Sequence, residues 1–121
     1  RDRKKMIELW AVAFRRAGGE ESRFPSQSYV ANTYKRILQD AAADEELATA
    51  ALKLAWNVPD LLVQWANAVP AALVDREMPS VLVSQAAAPA RQVLFQIWVK
   101  RGSKERVEKF IRENFALGLA F

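Results

Sequence analysis

Apolar side chains recur along this chain at spacings of three and four, the period of helices with one buried face. Met6, Trp10, Phe14 and Ala17 mark the first predicted helix, over residues 3–17, which stops at Gly18-Gly19. After the polar loop GGEESRFP, Ser26 or Ser28 can cap a second helix running to Asp40. Val30, Tyr34, Ile37, Leu38 and Ala41 form its apolar side. Asp44-Glu45-Glu46 opens a third helix, with acids where the helix dipole favours them. Its body, LATAALKLAW, is apolar nearly all round apart from Thr49 and Lys53, as expected of a buried central helix.

The stretch Val58–Pro89 repeats itself. Pro59, Pro70 and Pro79 are each followed at the third and fourth positions by Leu-Val, and Pro89 by Gln92-Val93. Proline is favoured in the first helical turn and pushes the preceding residue out of the helical region. The repeat therefore predicts four helix starts, each returning an apolar pair to the core. Its period of 9 to 11 residues is too short for a helical solenoid, whose units run above roughly 30 residues. Within it, Asp60, Gln64 and Asn67 make one polar stripe on a helix otherwise covered by Leu61, Leu62, Trp65 and Val69. That stripe and two prolines also argue against a membrane span, which needs about 20 mainly apolar residues.

A longer helix follows from Pro89 to Arg101, ended by Gly102. Ser103 caps the last one, with Val107, Phe110, Ile111 and Phe115 inward. SVLVS, residues 80–84, is the one strand candidate, and it has no obvious partner. The pattern predicts an all-α single domain over 1–121, an orthogonal bundle of six to seven short helices. Leu54, Trp56, Leu62, Trp65 and Trp98 are its expected centre, and Trp10, the fourth tryptophan, also reads as core. Beginning at Arg1 without a signal-peptide pattern, the chain reads as an intracellular fragment or domain of a longer protein.

Composition narrows the chemistry. The chain has no histidine and no cysteine, which removes the commonest general base and metal ligand, thiolate catalysis, disulfides and Cys-type zinc sites. No nucleophile elbow, phosphate-binding loop or dinucleotide fingerprint is present, and Asp44-Glu45-Glu46 reads as capping rather than metal binding. A non-enzymatic domain without metal or cofactor is expected.

Charge supplies the functional expectation. Residues 1–36 carry nine basic and four acidic side chains, residues 37–90 two and seven, and residues 91–121 seven and three. Basic ends flank an acidic middle. If the ends meet in space they make a phosphate-binding face for DNA or RNA, with Arg3, Lys4, Lys5, Arg15 and Arg16 as its main part. Lys100, Arg101 and Lys104 are its second part. KRGSKER has a glycine between two helices, as a helix-turn-helix bend does, but Glu108 falls where that motif wants an apolar residue. In the last helix Glu105–Lys109, Glu108–Arg112 and Lys109–Glu113 can pair at i,i+4, as on a solvated face. The alternative expectation is a protein–protein or self-assembly domain, its acidic and basic regions docking on other proteins or on copies of itself.

Overall fold

A computed structural model describes residues 27–114. Within them lie six α-helices: α1 (Gln27–Ala41), α2 (Glu45–Ala55), α3 (Pro59–Ala68), α4 (Ala71–Val83), α5 (Arg91–Arg101) and α6 (Lys104–Asn114). A short 3-10 helix, Gln85–Ala90, joins α4 to α5. There is no strand among the described residues, and the fold is an all-α bundle as the periodicity predicts. SVLVS is the end of α4 and the residue after it, not a strand. The predicted helix at 3–17 and Phe115 fall outside the described residues.

The bundle is organised around α3, which packs against α1, α2, α5 and the 3-10 helix, whereas the expected central helix, α2, packs chiefly against α1 and α3. Asp44 stands at the N-cap of α2 in extended backbone, and its Oδ1 accepts the Leu47 N–H at 3.1 Å. Leu47, Ala48, Ala51, Leu52, Leu54 and Ala55 are all buried, while Lys53 is exposed. Three alanines let neighbouring helices come close enough for side chains to reach the α2 backbone. From α1, the Tyr34 hydroxyl donates to the Ala51 carbonyl at 2.6 Å, and from α3 the Trp65 indole N–H donates to the Ala48 carbonyl at 2.8 Å. Two large aromatics thus bury their apolar bodies and satisfy their polar tips on one helix.

Burial pushes the Tyr34 hydroxyl well above the ordinary tyrosine pKa of about 10. The folded chain therefore retains a proton that the unfolded chain releases, so stability holds below pH 10 and declines as pH rises beyond it. Between pH 9 and 11 this one group should cost about 1.4 kcal/mol. Urea midpoints across that range should fall less for Tyr34→Phe than for the wild-type chain. An equal fall would mean that Tyr34 ionises freely.

Prolines do not all act as the repeat predicts. Pro59 is the first residue of α3, where the Val58 carbonyl receives the Leu61 and Leu62 N–H groups at 2.9 and 3.0 Å. Pro70 is the N-cap of α4, and its own carbonyl takes the N–H groups of Leu73 and Val74 at 2.9 and 3.2 Å. Pro79, by contrast, lies inside α4, so this copy is not a helix start. The helix continues through it because Met78, Val81 and Leu82 remain on the buried face. Pro89 lies in the 3-10 helix just before α5. The apolar pairs follow suit: Leu73 and Val74 are both buried, but Val83 is 44% exposed and Val93 48%.

Trp65 and Trp98 are fully buried, as are Leu61, Leu62 and Val69 beside the polar stripe of α3. Asp60 and Asn67 of that stripe are exposed and Gln64 is half-buried. Trp56 differs from expectation: it is the C-cap of α2 and only partly buried, packed against the edge of the core. None of the described helices is long and apolar enough to cross a membrane.

Candidate nucleic-acid interface

The corner between α5 and α6 carries three of the predicted cationic contacts, Lys100, Arg101 and Lys104. Its shape follows from a few atoms. Gly102 is the C-cap of α5, and its N–H donates to the Trp98 carbonyl at 2.7 Å. Its φ of −92° is open to any residue, so glycine is not needed for backbone conformation. It is needed for space. A Cβ there would lie 2.4 Å from Trp98 Cδ1 and 2.5 Å from Asp75 Oδ1.

Asp75, on α4, holds the corner together. Its Oδ1 accepts both the Trp98 indole N–H and the Ser103 backbone N–H, each at 2.8 Å. Ser103 then starts α6, its carbonyl receiving the Val107 N–H at 3.0 Å. Phe110 of α6 stands edge-on to the Trp98 ring, with centroids 5.4 Å apart. One carboxylate from α4 thus fixes both the last turn of α5 and the first of α6.

The three predicted cations at this corner do different things. Lys100 and Lys104 are exposed on either side of the turn, and neither forms an ion pair among the described residues. Arg101 is half-buried, and its Nη1 donates to the Ala66 carbonyl at 2.5 Å, in the last turn of α3. That carbonyl is one a helix end leaves without an internal partner. Arg101 is thus a tether between helices. Arg3, Lys4, Lys5, Arg15 and Arg16 lie outside the described residues.

Two more arginines are used internally. Arg91 donates through Nε to Leu82 O at 2.8 Å and through Nη2 to Ser84 O at 3.1 Å, closing the end of α4. Arg76 joins α4 to α2 by donating to Glu45 and Thr49, and its Nε also donates to the Glu77 carboxylate at 3.0 Å. Hydrogen bonding to Glu45, then to Glu77, raises its guanidinium pKa further above the ordinary value.

The exposed faces of the two corner helices contrast in charge. On α5, Leu94 and Trp98 face inward, while Gln92, Val93, Gln96, Val99 and Lys100 are exposed; the helix contains no acid. On α6, exposed Lys104, Arg106 and Arg112 are interleaved with Glu105, Glu108 and Glu113, and Lys109 approaches Glu113 at 3.9 Å.

Beside the corner lies an open cleft of about 550 Å³, bounded by the α1–α2 turn, the start of α4 and Arg106. Its acids are already engaged: Asp44 caps α2, Glu45 holds Arg76, and Asp75 holds Trp98 and Ser103. No group of three or more acids placed to hold a metal ion occurs among the described residues. Asp75 is the site residue the sequence does not disclose. Its partners lie 23 and 28 positions away, beyond any local spacing rule. Comparison with protein-family models, curated proteins and solved structures finds no match to this chain.

Proposed function

We propose that this chain is a non-enzymatic helical domain that binds nucleic acid by phosphate contacts, with the α5–α6 corner as part of its binding surface. The observation that carries this reading is that Lys100 and Lys104 are exposed and without an ion pair among the described residues, on a corner braced by the two hydrogen bonds of Asp75 and next to an acid-free helix. Phosphate contacts need cations that are not already neutralised, on elements that do not move away. Arg3, Lys4, Lys5, Arg15 and Arg16 supply further phosphate contacts in the same reading.

Labelled single- and double-stranded oligonucleotides titrated at 50 and 200 mM salt test it. Affinity should fall steeply between the two, as counterion release requires. The double variant Lys100→Glu/Lys104→Glu should bind about tenfold or more weakly at the lower salt. Absence of binding at low salt overturns the reading. Undiminished binding by the variant moves the contact surface away from the corner.

A second reading is an interface with other proteins or with copies of this chain. It rests on the apolar side chains α5 leaves in solvent, Val93 at 48% and Val99 at 52% exposure. It calls for a mass by light scattering that rises with concentration.

A further inference from the structure

We infer that α5 is the helix that enters a nucleic-acid groove, and that its ligand is duplex DNA read from the major groove; this rests on the nucleic-acid reading above. Gln92, Gln96 and Lys100 are spaced by four and all exposed, so they form one ridge opposite Leu94 and Trp98. Val93 and Val99 flank the ridge. These are side chains suited to base edges in the major groove. A glutamine amide can donate to and accept from adenine N6 and N7 together, an aliphatic group meets the thymine methyl, and lysine reaches guanine O6 and N7 or a phosphate.

Charge complementarity distinguishes α5 from its neighbour. In a helix-turn-helix arrangement the second helix is the one that reads bases, and here that helix is α6. Exposed Glu105 and Glu108 on α6 would meet phosphate oxygens with like charge. Helix α5 brings no acid to the groove. It is also pinned at both ends by its own arginines, Arg91 to the end of α4 and Arg101 to the end of α3. Their charges are turned toward protein carbonyls, which leaves the amide ridge and Lys100 to face a ligand. Eleven residues make a rod of roughly 16 Å. The major groove of B-form DNA admits such a helix, whereas the deep, narrow major groove of duplex RNA does not.

The test is selection by the full 121-residue chain from a random-sequence duplex DNA pool, followed by binding to the enriched and scrambled duplexes. An enriched motif containing A·T pairs is expected, bound about tenfold or more tightly than its scramble. Gln92→Ala/Gln96→Ala should abolish that preference while keeping the salt-dependent affinity for the scramble. Alanine suits an exposed helical position, so this variant should fold, as circular dichroism can verify. Glu105→Gln/Glu108→Gln should leave the motif unchanged. Binding without sequence preference, a preference unaffected by the glutamine variant, or a preference for single strands or RNA each overturns the inference while the nucleic-acid reading stands. No binding to any oligonucleotide at low salt overturns both. Self-association lost in Val93→Ser/Val99→Ser, with no duplex selected, overturns the inference in favour of a protein partner.

Discussion

Gly102→Ala is expected to destabilise the fold by roughly 2–4 kcal/mol, a loss unusual for adding one methyl group at a helix end. Backbone strain cannot be the cause, because φ is −92° and alanine adopts it freely. The methyl carbon would instead sit within 2.6 Å of Trp98 Nε1 and 2.5 Å of Asp75 Oδ1. One of those groups must move. Trp98 is fully buried and packed edge-on against Phe110, so it has little room. If Asp75 moves, the indole N–H and the Ser103 N–H lose their shared acceptor. A buried donor left without a partner costs about 1–3 kcal/mol, which adds to the steric cost.

Urea denaturation of Gly102→Ala beside Asp75→Ala separates these contributions. The carboxylate-free variant should itself lose about 1–3 kcal/mol. In the double variant the two losses should sum to more than the measured total, since part of the damage is shared. A Gly102→Ala loss below about 0.5 kcal/mol would falsify the close packing of this corner, because that is the range of substitutions touching nothing. The same variant bears on function. If Asp75 positions Lys100 and Lys104, oligonucleotide affinity should weaken in Gly102→Ala although no cation is removed.

How much of this was legible beforehand depends on the range of the interaction. Tyr34, Ile37, Leu38 and Ala41 follow from helical period alone, and all are buried. Asp44 as a cap follows from an acid placed just before an apolar run, and its carboxylate takes the Leu47 N–H. Gly102 was legible as a stop for α5, but the reason it must be glycine was not. That reason is a tryptophan four residues back and an aspartate on another helix. Proline misleads for the same cause. Its local preference is for a helix start, yet Pro79 sits in α4 because Met78, Val81 and Leu82 bury one continuous face.

The cations show the limit most clearly. Counting charge makes Lys100, Arg101 and Lys104 equivalent, whereas the fold commits Arg101 to the Ala66 carbonyl and leaves both lysines to solvent. Which carbonyl a helix end leaves unsatisfied, and which arginine can reach it, is decided by helix packing. Arginine's planar fork of donors suits such work better than the more strongly hydrated lysine ammonium. Arg91 is used in the same way, and Arg76 is committed instead to Glu45, Glu77 and Thr49. Phosphate contacts in the described residues are therefore better sought among lysines than among arginines with carbonyl or carboxylate partners.

Trp65→Ala is expected to cost about 3–5 kcal/mol, the range for truncating a fully buried tryptophan. Trp65 is fully buried on α3 and reaches across to the Ala48 carbonyl of α2 at 2.8 Å. Truncation removes a large apolar side chain between α3 and α2 and leaves a cavity that the neighbours cannot fully close. Domains of this size have about 5–15 kcal/mol in total, so the variant should show a much lower urea midpoint or be partly unfolded without denaturant. Trp65→Phe isolates the hydrogen bond. Ala48 lies within α2, where its carbonyl retains the helical N–H four residues on, so losing the indole leaves no bare acceptor. Phenylalanine should therefore cost only about 1–2 kcal/mol, from one lost hydrogen bond and a smaller void. Equal losses in the two variants would mean that the bond to Ala48, rather than the packed ring, joins α3 to α2. Losses below 1 kcal/mol in both would remove Trp65 from the core altogether.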